Sequence, residues 1–180
     1  MQKKTDEYET PPEVFAKLHK EFRFTTDLCA LKTTAKVPNY WGADRKDDQI
    51  DGLKMVPGIR TVPGGGEEWG IWCNPPYSQG NLARWVNRCC DIVRPHYGIL
   101  STKQCIVLLL PMSMSTKWAR RLWGDSWCHE IRFCDRRISF LLDGVRRKAP
   151  AAENMIAVLR SEKRENRRRP QVGYWEVPPQ

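Results

Sequence analysis

The sequence predicts an α/β fold built around a mostly parallel sheet. Short apolar segments of strand length alternate with amphipathic segments of helical spacing, which is the order of a layered α/β domain. Residues 105–110 are apolar throughout, as in a strand covered on both faces of a parallel sheet. The last strand-like segments follow one another without helices, so we expect an antiparallel edge. A chain of 180 residues suits one domain, which we place at 1–162.

The first elements are a helix and a strand. Thr10-Pro11-Pro12-Glu13 has the form of a helix start, with Thr10 as cap, Pro11 at the first helical position and Glu13 completing a capping box. Apolar residues follow at helical spacing up to residue 22. Residues 22–27 then predict a strand that ends on Asp27.

The middle of the chain is predicted to be a long surface loop. Residues 35–68 are rich in turn formers, and 56–66 contain two prolines and four glycines. We treat 54–68 as a surface insert. Residues 71–73 then form a brief apolar strand that leads directly into Asn74-Pro75-Pro76-Tyr77.

The second half predicts two helices, several strands and a loose tail. Helices are expected at 81–93 and from about Ser115, and strands at 105–110, 130–133, 138–142 and 155–159. The tail, 163–180, is basic and then contains prolines, so we expect it to be poorly ordered.

Charge and composition narrow the function classes. Thirty basic residues against 21 acidic ones leave a net charge of +9, which favours a polyanionic partner such as nucleic acid. No apolar run is long enough for a membrane span, and the N-terminus lacks the apolar stretch of a signal peptide, so we expect a cytoplasmic protein. The seven cysteines include no C-x-x-C pair, and Cys128-His129 with Cys134 lacks a second half, so no metal site is expected.

Asn74-Pro75-Pro76-Tyr77 can bind an amine at the carboxyl end of a strand, where open α/β sheets bind ligands. The two prolines hold the backbone and remove two N–H donors. The Asn74 oxygen and the Pro75 carbonyl can then accept hydrogen bonds from one –NH2 group. Two such acceptors stabilise the positive charge that develops on the nitrogen during methyl transfer. Tyr77 supplies an aromatic face for a flipped-out base.

Other interpretations of the same residues remain. The tetrapeptide is also a rigid turn after a strand, with Tyr77 packing in the core. The amine could be adenine N6 in DNA or in RNA, cytosine N4 or a protein glutamine amide, and the charge favours nucleic acid over glutamine. Cytosine C5 chemistry would need a cysteine nucleophile, but Cys73, as the adjacent strand residue, should point away from the loop.

The motif and its neighbours resemble a known family. The residues that carry the resemblance are Tyr8 to Phe15, Phe24 to Ala30, Asp51-Gly52-Leu53, Trp72 to Ser78, Leu108 to Pro111 and Ile131-Arg132-Phe133. In this order and spacing, over about residues 8–160, they look like the phage-type DNA N6-adenine methyltransferase (Dam-like) family. The resemblance implies a Rossmann-like methyltransferase fold and S-adenosylmethionine as the methyl donor.

The resemblance also implies roles for individual residues. Asn74, Pro75, Pro76 and Tyr77 would form the catalytic amine site. The cofactor-binding residues would be Thr10, Pro11, Asp27, Cys29 and Asp51, with Thr10 and Pro11 at the amino-acid end and Asp27 near the charged amine. Asp51 would lie near the adenosine or the target amine. The sequence departs from many methyltransferases because Asp27-Leu28-Cys29-Ala30 replaces a glycine-rich cofactor loop, and from this family because 54–68 is long.

The implied substrate is double-stranded DNA, with adenine flipped out of the duplex for direct methyl transfer. No segment is large enough for a separate target-recognition domain, so sequence preference must come from loops. The resemblance also suggests a phage or prophage origin, action in the bacterial host cytoplasm, and a role in evading restriction, with no obligate protein partner. The alternatives are methylation of another planar amine and a catalytically inactive, basic DNA-binding protein of the same fold.

Overall fold

The computed structural model describes residues 7–42, 44, 52–53, 70–78, 80–94, 104–148, 152–165 and 169–180. Its helices are α1 (Pro12–Phe22), α2 (Asn81–Ile92) and α3 (Lys117–Gly124). Its strands are β1 (Phe24–Asp27), β2 (Asn39–Tyr40), β3 (Gly70–Cys73), β4 (Cys105–Pro111), β5 (Cys128–Cys134), β6 (Leu141–Leu142), β7 (Val145–Arg146), β8 (Asn154–Arg160) and β9 (Gln171–Trp175). The helices and strands confirm the predicted α/β class.

Seven strands form one twisted sheet in the order β2-β1-β3-β4-β8-β5-β9. Strands β1 to β4 are mutually parallel along this order, and β9 is parallel to β5. Strand β8 runs antiparallel to both β4 and β5. The prediction of a mostly parallel sheet is therefore confirmed, and β6 and β7 form a separate antiparallel pair.

The expected antiparallel edge is wrong in its position. Strand β8 lies inside the sheet, and the outer strand β9 is parallel to its neighbour. The physical reason is burial. Met155 to Leu159 are all buried on both faces of the sheet, as in an interior strand, whereas an edge strand could leave some of these side chains in contact with solvent. A series of strands without helices indicates antiparallel pairing, but it does not tell which strand is outermost.

The predicted poorly ordered tail is also wrong for residues 169–180. Strand β9 pairs with β5, and Trp175 and Val177 are buried in the core on the α1 face of the sheet. Lys17 of α1 lies 5.1 Å from the centre of the Trp175 ring, which adds a cation–π contact. Burial of these apolar side chains outweighs the basic and proline-containing composition that suggested disorder.

The start of α1 differs from the predicted capping box. Pro11, and not Thr10, is the N-cap residue, and it makes no side-chain capping bond because proline has no donor or acceptor in its ring. The helix itself begins at Pro12, which places Thr10 outside it. Glu13 forms an ion pair with Arg146 at 2.7 Å instead of closing a box.

Two further segments differ from the prediction. In the predicted loop at 35–68, β2 adds a short parallel strand beside β1, and the following Trp41 is buried. The predicted strand at 138–142 is reduced to β6, which turns back into β7 through Asp143 and Gly144, both with positive φ. The insert at 54–68 lies outside the described residues.

Two apolar cores cover the two faces of the sheet. Helix α1 packs on one face through Val14, Leu18 and Phe22, and α2 and α3 pack on the other. Within the described residues, no helix is both long and apolar enough to cross a membrane. This arrangement leaves the carboxyl ends of β1 and β3 side by side at one edge of the sheet.

Candidate active site

A cavity of about 340 Å³ lies at the carboxyl ends of β1 and β3. Its wall combines residues 7–10 before α1, Asp27 at the end of β1, residues 29–31 after it, and Asn74 and Pro76 of the loop after β3. These segments meet because β1 and β3 are neighbouring parallel strands, and the Leu28 N–H donates to the Trp72 carbonyl at 2.8 Å where they end. Of the predicted site residues, Thr10, Asp27, Cys29, Asn74 and Pro76 line this cavity.

Asn74 presents a buried hydrogen-bond acceptor. Its Nδ2 donates to the backbone carbonyl of Tyr8 at 3.4 Å. Since that carbonyl can only accept, the amide nitrogen must face Tyr8 and the oxygen must face away. Asn74 Oδ1 is buried and has no hydrogen-bond partner among the described residues. A buried acceptor left without a donor is costly, which indicates a site built for a ligand N–H.

Tyr77 is attached to the core as well as to the loop. Its hydroxyl donates to the Leu109 carbonyl of β4 at 3.1 Å, and its ring meets Phe140 edge-on at 6.0 Å. Burial raises the pKa of Tyr77 well above its usual value, so the phenol stays neutral. These contacts match the packing role that the sequence also allowed. Stacking on a flipped-out base stays a prediction.

Cys73 is excluded as a nucleophile by its environment. The side chain is fully buried in the core on the α2 face and does not line the cavity. Burial, together with the neighbouring Cys89 thiol, raises the pKa of Cys73 well above that of an ordinary thiol. A thiolate, which is the attacking form of cysteine, is therefore disfavoured here.

Asp27 organises the loop that follows β1. Its Oδ1 accepts from the Cys29 N–H at 3.3 Å, and its Oδ2 accepts from the Lys36 N–H at 3.1 Å. The residue is only 2% exposed, and burial raises its pKa to about 6 despite these two bonds and the Lys36 charge. The carboxylate thus spans the loop from residue 29 to residue 36 and also borders the cavity.

An ion pair that sequence reasoning missed lies beside Asp27. Lys36 Nζ is 3.5 Å from Glu9 Oε2, and both side chains are mostly buried and line the cavity. The backbone N–H of Lys36 binds Asp27 while its ammonium binds Glu9, so one residue connects the two acids. No motif marks a lysine nine residues after a strand. Glu9, however, adjoins Thr10 in the segment that carried the resemblance.

Thr10 is nearly inaccessible, at 1% exposure, yet its hydroxyl is unsatisfied. Thr10 Oγ1 has no hydrogen-bond partner in the described part of the chain. The neighbouring Glu9 exchanges two backbone hydrogen bonds with Leu141, at 2.9 and 3.0 Å, which holds this segment against the cavity. Pro11 is buried beside Thr10 but does not line the cavity.

Part of the cavity wall is apolar and closely packed. This part of the wall contains Trp41, Trp85 and Leu53 together with Cys29, one of the five predicted site residues that line the cavity. A Cβ on Gly52 would lie 2.9 Å from the Trp85 ring and 2.6 Å from the Leu28 carbonyl, so only glycine fits. Asp51, predicted to contact the cofactor or the target, lies outside the described residues.

The cavity wall therefore combines apolar side chains with polar and charged groups. Buried acceptors, a carboxylate and an ion pair converge on a space of ligand size, the usual constitution of a small-molecule site. Among the described residues, no group of three His, Cys, Asp or Glu side chains is close enough to hold a metal ion.

Comparison with known protein families gives one decisive match. Residues 1–172 match the family described as DNA N-6-adenine-methyltransferase (Dam). The chain belongs to this family. No curated protein matched the chain. The family match covers almost the whole chain and includes the described residues that line the cavity and the loop after β3, and it ends within β9.

Family membership confirms the function predicted from the loop and its neighbours. The chain is a DNA N6-adenine methyltransferase, and methyltransferases of this kind generally use S-adenosylmethionine. The other planar amines that the tetrapeptide alone allowed are thereby set aside.

Proposed function

We propose that this methyltransferase binds S-adenosylmethionine in the cavity at the ends of β1 and β3 and methylates an adenine flipped out of duplex DNA beside Asn74. The observation that carries the proposal is the Asn74 oxygen, a buried acceptor whose direction is set by the Tyr8 carbonyl. The position of the cavity at the carboxyl edge of a mostly parallel sheet supports the Rossmann-like methyltransferase fold.

The residues present fit the cofactor. Its amino-acid end carries one positive and one negative charge, and Glu9 and Lys36 offer one charge of each sign in the same cavity. Thr10 Oγ1 adds a buried group that still needs a hydrogen bond. Asp27 holds the loop that carries Lys36 and contributes negative potential. The apolar wall of Trp85 and Leu53 suits a planar purine ring.

The protein's part in the reaction is electrostatic. S-adenosylmethionine supplies a methyl group made electrophilic by a sulfonium centre. Adenine N6 is a weak nucleophile because its lone pair is delocalised into the ring. Asn74 Oδ1 and the Pro75 carbonyl would accept the two N–H groups, favour a pyramidal nitrogen and stabilise the charge that grows there as the N–C bond forms and the S–CH3 bond breaks, with S-adenosylhomocysteine as the leaving group. The N6 proton is then released to water.

The direct test identifies the product. Purified protein is incubated with methyl-labelled S-adenosylmethionine and unmethylated duplex DNA, the DNA is digested, and the labelled nucleoside is identified. We expect N6-methyladenine, and less label on the same sequence supplied as a single strand. Label on cytosine or on protein would contradict the proposal.

Asn74→Ala separates a catalytic role from a structural one. We expect methyl transfer to fall by about 10²-fold or more, the scale of losing one transition-state hydrogen bond, while cofactor affinity stays within a few-fold. Asn87→Ala is the matched control, because the Asn87 side chain accepts from Arg121 of α3 and has no other hydrogen bond within the described residues. Equal loss of cofactor binding and transfer in Asn74→Ala would make Asn74 structural.

A further inference from the structure

A strongly basic segment leaves the sheet beside the cavity. Residues 135–148, here called the basic hairpin, join the end of β5 to the β6–β7 ribbon and its following residues. Their five basic side chains are all exposed: Arg136, Arg137, Arg146, Arg147 and Lys148. Only Asp135 and Asp143 oppose them within the segment, so it carries a net charge of +3 out of the +9 of the chain.

Most of this charge is not neutralised locally. Arg136 pairs with Asp135 at 3.2 Å, and Arg146 pairs with Glu13 at 2.7 Å. Arg137, Arg147 and Lys148 have no ion-pair partner among the described residues. Unpaired, exposed cations grouped on one segment attract phosphates, and each phosphate contact releases counterions.

The basic hairpin is attached to the cavity at its base. Leu141 exchanges two backbone hydrogen bonds with Glu9, whose side chain lines the cavity. The buried Phe140 ring stacks on Tyr8 at 6.3 Å and meets Tyr77 of the catalytic loop at 6.0 Å. The Arg147 N–H donates to the Phe140 carbonyl at 2.8 Å, which connects the cations to the same anchor.

The shape of the hairpin also suits a nucleic acid. Asp143 and Gly144 have φ of 54° and 72°, the positive values that a tight two-residue hairpin turn requires. The result is a narrow two-stranded ribbon with Val145 exposed beside the turn. A ribbon of this kind fits into the major groove of B-DNA.

Another basic surface competes for the same role. Arg94, Arg120, Arg121 and Lys163 surround a depression near Asp125 and Trp127. Two of these cations are paired, Arg94 with Asp125 at 3.2 Å and Arg121 with Asp91 at 2.6 Å. The depression flanks the start of β5 and the end of β8, at the amino edge of the sheet, away from Asn74.

We propose that the basic hairpin is the duplex-docking surface of this enzyme, with Arg137, Arg147 and Lys148 on DNA phosphates and the β6–β7 ribbon against a groove next to the flipped adenine. The inference rests on the proposed position of the target amine at Asn74.

The test compares two triple variants of equal charge change. Arg137→Ala/Arg147→Ala/Lys148→Ala removes the unpaired cations of the hairpin. Lys20→Ala/Arg120→Ala/Lys163→Ala removes three exposed cations elsewhere on the surface. Affinity for a fluorescein-labelled, unmethylated duplex is measured from low to physiological salt, together with S-adenosylmethionine binding and the KM for DNA.

We expect the hairpin variant to reduce the slope of log K against log salt by about 0.9 per lost phosphate contact, hence by up to about 3. Its KM for DNA should rise, while cofactor affinity, thermal stability and kcat at saturating DNA stay unchanged. Arg137→Lys/Arg147→Lys should keep the original slope. Equal effects of the two triple variants, or loss of slope in the lysine variant, would overturn the proposal.

An error in the proposed position of the target amine at Asn74 would give a different experimental result. Asn74→Ala should bind the duplex with an unchanged salt slope while losing methyl transfer. A weaker salt slope in Asn74→Ala would count against the position of the target amine, whatever the hairpin variants do.

Discussion

At the scale of single residues, two side-chain oxygens distinguish the site from an ordinary turn. Asn74 Oδ1 and Thr10 Oγ1 are both buried and have no partner within the described residues. Elsewhere in proteins such groups are nearly always hydrogen-bonded, because an unmet bond costs about 1–3 kcal/mol. Both oxygens belong to residues that line the cavity, so we propose that a ligand bound there supplies the missing hydrogen bonds.

Thr10→Val tests this explanation against the helix-cap role. Valine keeps the shape of threonine but removes the unsatisfied hydroxyl, so we expect unchanged or slightly higher stability without cofactor and weaker cofactor binding. A capping threonine would instead lose about 1 kcal/mol of stability. Thermal unfolding and S-adenosylmethionine titration measure the two effects, with Thr116→Val as a control, since Thr116 does cap α3.

Asp27 predicts a pH dependence of stability. Its pKa rises from 3.8 unfolded to about 6 folded, so the folded protein binds this proton more tightly. The corresponding stability is fully present below pH 3.8 and is lost as the pH rises through about 6, by about 3 kcal/mol in total. Denaturant unfolding should therefore show that the stability of the wild type falls relative to that of Asp27→Asn between about pH 4 and about pH 7. A pH-independent difference would contradict the raised pKa.

At the scale of elements, the segment after β1 takes its shape from close backbone contacts. The Trp41 N–H donates to the Asp27 carbonyl at 2.8 Å, and the Ala30 N–H donates to the Trp41 carbonyl at 3.3 Å. A Cβ on Gly42 would lie 1.9 Å from the Ala30 carbonyl oxygen. Gly42 and Gly52 both lie so close to the backbone of this segment that a larger residue would collide with it.

Gly42→Ala should accordingly disturb both stability and the cavity. The added methyl group meets backbone and not a flexible side chain, so we expect a loss of about 1–3 kcal/mol in unfolding free energy and weaker cofactor binding. Gly124→Ala is the control, because a Cβ there meets nothing within 4 Å among the described residues. Since Gly124 is helical, alanine should stabilise by about 0.5–1 kcal/mol. Similar effects of the two changes would contradict the close approach.

At the scale of the whole molecule, the C-terminal residues complete the sheet. Strand β9 covers the outer side of β5, and the segment after it places Val177 in the α1 core. The Val177 N–H donates to Asp135 Oδ1 at 2.9 Å, which ties this end to the start of the basic hairpin. The tail is therefore part of the domain whose boundary we had placed at residue 162.

Two adjacent aromatic residues of β9 test this conclusion. Trp175 is 5% exposed and Tyr174 is 85% exposed. We expect Trp175→Ala to lower the free energy of unfolding by about 3–5 kcal/mol, and Tyr174→Ala to change it by less than about 0.5 kcal/mol. Denaturant titration gives both values. If Trp175→Ala left the free energy of unfolding unchanged, the conclusion that these residues belong to the folded domain would be wrong.

The local patterns were sufficient for most elements and for the reaction. Apolar runs of strand length and helical spacing predicted α2, β3, β4 and the central part of β8, because their side chains are buried in the faces that the patterns imply. The Asn74-to-Tyr77 loop identified an amine as acceptor, because its chemistry lies within four consecutive residues. The ordered resemblance around it named adenine.

Features that depend on distant residues were decided only by the tertiary structure. The interior position of β8, the order of β9 and the Glu9–Lys36 pair each join segments far apart in the chain, and no local period encodes such contacts. The Asp-Gly dipeptide at residues 143–144 is typical of a hairpin turn. Its position beside the cavity, however, depends on the contacts of Phe140 with Tyr8 and Tyr77. Sequence alone thus determined the chemistry of the site, whereas long-range packing determined which residues surround it, because burial and pairing depend on the fold as a whole.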